Sequence, residues 1–406
     1  MEGSRKMDKK ELEQAVRRNL DWFRHSKVMD PPDGSWGVAE RLAVTQGNSA
    51  LEKIFTVFPA WSEFDGYCVI EPRRPDCNFE TALLFLLAGE HFDCTEYREV
   101  GGNLLHYLFR RSGMLFSESG TWNWSSITRY PTRWYDDNGW CGALQLLIAR
   151  LRPDLDREYR LSFWGSMLAE RLADGVDRAI DSSRPIEHGV WPDPEGYWQG
   201  EPRLPHWGAV ALFAGSACRG SGFREKFNRV IRRYYEYLFR RRDTLIASEL
   251  AYALLGAAWV AGWNDDGFYR ELVEAFSSRM LERMDPATGN LPAEHCEAPR
   301  GPHLVDTIYT ANWALLGMQA AATLTGNPEQ HAAADRLAGL MLRIQDASGV
   351  PAYDGCWRGM FDLEAGTWGG GDCYEGGQNS IYSGWTNAPI ALALLLRAGE
   401  RSLIQL

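Results

Sequence analysis

The chain has 406 residues, 45% hydrophobic and 24% charged, the proportions of a folded globular protein with one large domain or two small ones, which argues against disorder. Its formal net charge of −11 argues against a nucleic-acid partner, and the run Arg240-Arg241-Arg242 ends an amphipathic helix, where it reads as a solvated cap complementing the helix dipole. The first ten residues lack the apolar core of a signal peptide, and no later segment has the run of about 18 apolar residues that a membrane helix needs, so no membrane partner and a cytoplasmic location are expected.

Period-3.6 apolar patterns predict about a dozen helices, in chain order near 9–26, 78–91, 95–111, 137–151, 159–177, 205–218, 222–240, 246–262, 267–283, 304–324, 329–345 and 379–397. Strand-like alternation is scarce. Six segments are apolar nearly all round and follow loops rich in Gly, Trp and acids: Asn78 to Gly89, Asp137 to Leu151, Pro205 to Ala217, Ile246 to Ala261, Leu304 to Thr323 and Gln378 to Arg397. The others are amphipathic and carry Arg, Glu and Lys, as in Arg224 to Arg240. A helix apolar on every face must be buried, whereas an amphipathic one keeps a solvent face, so the alternation predicts two concentric rings. The helix Leu12 to His25 supplies the sixth outer member, beside the last inner helix. The expected fold is all-α, an (α/α)6 toroid of six helical hairpins spanning residues 1–406 as a single catalytic domain; an open solenoid would have repeats of more even length.

Loops that enter the inner helices of such a ring gather at one end. The sharpest is Trp134-Tyr135-Asp136-Asp137-Asn138-Gly139-Trp140. One Asp before an apolar helix can be an N-cap, which leaves the second unexplained and makes Asp136 and Asp137 catalytic candidates. Glycosidic cleavage needs one group to donate a proton and another to stabilise or attack the sugar centre, and carboxylates on facing loops, Glu187, Asp372 and Glu375, are candidate partners. Among the 17 Trp, Trp134, Trp140, Trp191 and Trp198 sit beside turn residues and are expected to stack on sugar faces. The glycine-rich stretch Trp368 to Asn387 adds Asn379, Tyr382 and Trp385, with Asp372, as sugar-binding candidates. His188, His206, His295 and His303 lie in loops beside Arg184, Arg203 or Arg300, and the Arg fork suits a uronate carboxylate. The eight cysteines, Cys68, Cys77, Cys94, Cys141, Cys218, Cys296, Cys356 and Cys373, have no zinc-like spacing and read as reduced packing thiols; no metal or cofactor is expected.

The segment Tyr135-Asp136-Asp137-Asn138-Gly139-Trp140 resembles the aspartate pair of glycoside hydrolase family 76, (α/α)6 α-1,6-mannanases in which one Asp is nucleophile and the next general acid/base. In overall six-hairpin layout the chain resembles the unsaturated uronyl hydrolases of families 88 and 105, whose key acid is an Asp opening an inner helix. The resemblance implies that Asp136 and Asp137 carry the chemistry.

The expected function is hydrolysis of short, uronate-containing oligosaccharides by carboxylate acid/base catalysis, the chain acting alone or as a homo-oligomer. Three alternatives compete: a lyase using Tyr309 or Tyr382 with a His, a sugar epimerase using paired His residues, and a non-catalytic sugar-binding protein.

Overall fold

The structure, a computed structural model, describes residues 7–128, 131–186, 198–218, 224–371, 373 and 377–406. In chain order the first helices are α1 (Lys9–His25), α2 (Leu51–Val57), α3 (Pro75–His91), α4 (Thr95–His106), α5 (Tyr135–Leu151), α6 (Pro153–Tyr159) and α7 (Leu161–Ile180). They continue as α8 (Pro205–Ala211), α9 (Phe213–Ala217), α10 (Arg224–Arg241), α11 (Ala247–Ala261), α12 (Gly267–Arg283), α13 (Ala311–Thr325), α14 (Pro328–Ile344) and α15 (Ala388–Ala398).

The inner ring runs α3, α5, α8 with α9, α11, α13 and α15, and it closes because α15 packs on α3. The fold is the (α/α)6 toroid. Every residue of α3 from Pro75 to Gly89 and of α5 from Tyr135 to Ala149 is buried, as their all-round apolar character requires. Outside, α4 packs on α3, α7 on α5, α10 on α7, α12 on α11 and α14 on α13. Helix α1 packs on α15 as the sixth outer member. Its start is set by Asp8, whose carboxylate accepts from the Lys10 backbone N–H at 2.9 Å.

Inner helices approach closely where glycine lets them. A Cβ on Gly139 would lie 2.2 Å from the Val210 carbonyl oxygen. This contact brings the first turns of α5 and α8, and hence Asp136 and His206, side by side. Gly139→Ala is therefore expected to lower stability by about 1–3 kcal/mol through overpacking. Gly102 of α4, where an added Cβ meets nothing within 4 Å, is the control: Gly102→Ala should raise stability by about 0.5–1 kcal/mol. Chemical denaturation of both variants checks the contrast.

Two inner helices begin later than their apolar patterns predict. The segment from Leu304 is first a strand (Leu304–Asp306), because the Asp306 carboxylate accepts from the Ile308 and Tyr309 backbone N–H groups, both at 3.0 Å, and from the Thr310 hydroxyl at 2.9 Å. Such side-chain-to-backbone bonds compete with helix, which starts only at Ala311. Likewise Ser380–Tyr382 is a strand, followed by an irregular turn at Ser383–Asn387 in which Trp385 has φ 49°. The strand joins an antiparallel sheet in the order Ser380–Tyr382, Arg41–Val44, Tyr67–Ile70, Trp61–Phe64. These strands have at most four residues, too short for their alternation to register in the sequence. Two of them lead directly towards α3 and α15, so the sheet lies at the rim where the inner helices begin. Among the described residues no helix is long and apolar enough to cross a membrane.

Candidate active site

The openings of α3, α5, α8 and α13 and the turn before α15 surround one pocket. Asp136, Asp137, His206, Glu297, Tyr309 and Tyr382 line it, with the aromatic rings of Trp124, Trp134, Trp207 and Trp385 and the edge of Arg74.

Helix α5 carries no side-chain N-cap bond: Trp134 occupies the cap position, and Asp136 and Asp137 fall within the first turn. Both aspartates are buried, which a simple cap does not require, and they point into different networks. Asp137 Oδ1 accepts from Arg74 Nη2 at 2.6 Å. The same nitrogen donates to Asp76 Oδ2 at 2.7 Å, and Nη1 reaches Glu40 Oε1 at 3.3 Å. Arg74 thus ties the start of α3 to the start of α5. Asp76 also accepts from the Trp385 indole N–H, and Glu80, one turn deeper in α3, accepts from the Trp140 indole and the Trp385 backbone N–H. Held from both sides, Trp385 keeps its left-handed backbone, a conformation that persists in a non-glycine residue only where its surroundings impose it.

Burial pushes the Asp137 carboxyl well above the ordinary carboxylate range, Arg74 pulls it partly back, and the neighbouring Asp76 and Asp136 push it up again. Glu80 is raised for the same first reason, burial, reinforced by Asp76. Asp137 is therefore a carboxyl that retains its proton above the usual range.

Asp136 faces the other way. His206 Nε2 lies 2.9 Å from Asp136 Oδ2, and His206 Nδ1 lies 2.8 Å from His295 Nε2. Burial lowers the His206 pKa, but the bond to Asp136 and its charge outweigh burial and the net shift is upward. The second oxygen, Asp136 Oδ1, is buried without a hydrogen-bond partner. A buried acceptor left unsatisfied is costly, and at the edge of a pocket it is a place for a ligand group.

Of the residues expected from the sequence, the pocket unites Trp134, Asp136, Asp137, His206, Tyr309, Tyr382 and Trp385. The other described ones stand elsewhere. Trp140 is fully buried in the ring interior against Trp313, one turn below Asp136, so it packs the core and takes no part in stacking. Trp198 is buried and stacks on Tyr135 at 4.7 Å, because its short strand pairs with Arg133–Trp134 and turns the indole away from the pocket. Asn379 is buried at the end of the rim sheet, its carbonyl accepting from Val44, and His303 is tied to Leu363 through its own carbonyl; neither lines the pocket. Arg300 is exposed, its Nε 3.4 Å from the His295 carbonyl, and lines the cavity behind the histidines. Arg203 is saturated by Glu201 and backbone carbonyls, a structural role. Glu187, His188, Trp191, Asp372 and Glu375 lie outside the described residues.

Arg74, Asp76, Trp124, Trp207 and Glu297 belong to the site without having been singled out as site residues from the sequence. For two of them the signal was present: Arg74-Pro75-Asp76 opens an all-apolar helix as Asp136-Asp137 does, with Pro at its first position.

No model of a known protein family matches the chain, and no curated protein sequence matches it. Solved structures do. The fold is similar to that of cellobiose 2-epimerase from Spirochaeta thermophila (TM-score 0.60, 14% identity, 96% of this chain and 97% of that one). It is also similar to a D-mannose isomerase (0.59, 10%, 96% and 97%). Unsaturated glucuronyl hydrolase from Streptococcus agalactiae is a third (0.59, 12%, 99% and 95%). The six-hairpin toroid that houses unsaturated glucuronyl hydrolases and sugar epimerases is therefore also the fold of this chain, over nearly its whole length.

Proposed function

We propose that the protein is a carbohydrate-active enzyme that hydrolyses short, uronate-containing oligosaccharides, the toroid acting as one catalytic domain. One observation carries this reading. Two adjacent aspartates open an inner helix into an aromatic-lined pocket, one holding its proton and the other presenting an unpartnered oxygen. Carboxyls whose environments set them apart in this way divide into acid and base. Asp137 is assigned the proton donor to the leaving oxygen, and Asp136 Oδ1 the acceptor of a proton from the attacking water. Trp124, Trp134 and Trp207 supply faces for the sugar. Unsaturated glucuronyl hydrolases share the toroid; one was solved in complex with dGlcA-GalNAc6S, and two of the structures are single Asp-to-Asn variants.

Epimerases share the toroid too. Exchange of a proton between two faces of a sugar carbon by two bases needs one on each side, whereas His295 lies behind His206 at 2.8 Å and only His206 lines the pocket. Hydrolysis fits that placement better. A cytoplasmic location would make imported fragments the substrates.

The test is a screen of purified protein against unsaturated uronyl disaccharides, aryl-glucuronides and neutral aryl-glycosides. Shortened products from the uronyl substrates support the reading. A new ultraviolet-absorbing product would instead identify a lyase, interconversion at constant chain length an epimerase, and binding without turnover a sugar-binding scaffold.

A further inference from the structure

We infer that His295 is a positioning residue that, from the side of His206 opposite Asp136, fixes the His206 proton on Nε2 and so secures the bond that holds Asp136. The inference deepens the reading of Asp136 as a reacting group and rests on it for its consequence in catalysis, though not for its geometry.

The argument starts at a backbone amide. The Glu297 N–H donates to His295 Nδ1 at 3.2 Å, and an amide can only donate, so this nitrogen offers its lone pair. The proton of neutral His295 is then on Nε2, 2.8 Å from His206 Nδ1. That makes Nδ1 of His206 the acceptor and leaves its proton on Nε2, 2.9 Å from Asp136 Oδ2. Each assignment forces the next; reversing one sets two N–H groups or two lone pairs against each other. Both rings are also clamped. His295 stacks on Tyr309 with centroids 3.9 Å apart and planes at 12°, and His206 stacks on Trp207 at 4.7 Å and 11°. At the end of the chain Asp136 spends Oδ2 on His206, while Oδ1 remains unpartnered.

His295 does this without touching the substrate pocket. It lines a separate cavity behind His206, with Glu249, Cys296, Arg241 and Arg300, while His206 forms part of both walls. Truncating His295 therefore leaves a space of the size of its own ring that joins this open cavity, where a free imidazole can enter.

The experiment has two arms. In protein with ¹⁵N-labelled histidine and no substrate, His206 in its neutral form should show a single tautomer protonated at Nε2. In Asp136→Ala, where no carboxylate holds that proton, His206 should remain protonated at Nε2; adding His295→Ala should convert it to a mixture, and adding His295→Gln, whose amide can both accept from Glu297 and donate to His206, should largely preserve it. An unchanged His206 tautomer in the Asp136→Ala, His295→Ala double variant overturns the inference, whatever the enzyme's reaction proves to be. In turnover, His295→Ala should lose roughly 10²-fold in kcat with little change in KM, with part of the loss restored by added imidazole and a smaller loss in His295→Gln. A loss confined to KM, or one that imidazole leaves untouched while the variant is folded, contradicts it. Absence of hydrolysis by the wild type would sink the proposed function and leave the tautomer arm to decide this inference by itself.

Discussion

Asp136→Asn and Asp137→Asn should each lose roughly 10²–10⁴-fold in kcat, the usual contribution of a positioned acid or base, while both proteins remain folded. The stability expectation follows from the bonds each aspartate makes. Asn at 137 still offers an oxygen to Arg74 and mimics the neutral acid that burial already favours there. Asn at 136 can still accept from His206. The substrate series separates the roles. A leaving group that needs no proton should spare Asp137→Asn and not Asp136→Asn, since only the first variant lacks the donor. Because Asp137 holds its proton above the ordinary carboxylate range, the wild-type rate should decline only as pH rises through that raised value, and this limb should vanish in Asp137→Asn. Wild-type-like kcat in both variants would remove the aspartate pair from the mechanism.

The largest expected effect on stability is at Arg74. Its guanidinium is buried among Asp76, Asp137 and Glu40, and Arg74→Met would leave these acids without that cation. Removing one partner of a buried ion pair typically costs about 3–5 kcal/mol, most of it from the charge left behind. The pH dependence has a definite sign. Arg74 pulls the raised Asp137 carboxyl partly back, so without it the Asp137 pKa rises further in the folded state, and a group whose folded pKa is raised loses stability as pH rises through it. The deficit of Arg74→Met should therefore be smallest in acid and grow towards neutrality, as denaturant titrations at several pH values would show. Arg74→Lys should fall between the two, because it keeps the charge but loses the fork that engages Asp76 and Asp137 together. A deficit independent of pH would mean that Arg74 acts by packing alone.

The ring was legible in the sequence because burial leaves a plain mark: α3, α5 and α11 are apolar on every face, whereas α1 and α10 carry one charged side. The closure of the ring by α1 against α15 followed from the same count of inner and outer helices. The starts of α13 and α15 were not legible, since Asp306 and the turn at Trp385 hold apolar residues in other conformations through bonds that composition does not record. Within the site, Asp136 and Asp137 announced themselves as a pair that one cap could not explain. Trp140 carried the same sequence signal as Trp134 and proved to be core, because six residues of helix separate a rim position from an interior one. Arg74 was marked by its place at the opening of an apolar helix but not by its burial, since an arginine at a helix start reads as solvated and only the fold shows the three carboxylates that draw it inside.

Hydrolysis is the one reaction under consideration that adds water across the cleaved bond, so the isotopic fate of the solvent oxygen is the most direct test. Wild-type protein should be incubated with an unsaturated uronyl disaccharide in heavy-oxygen water and the products weighed by mass spectrometry. The account predicts two monosaccharides, one of them carrying a single oxygen from solvent, and their loss in Asp136→Asn and Asp137→Asn. Fragments with no solvent oxygen, or a disaccharide of unchanged mass and altered configuration, would contradict it.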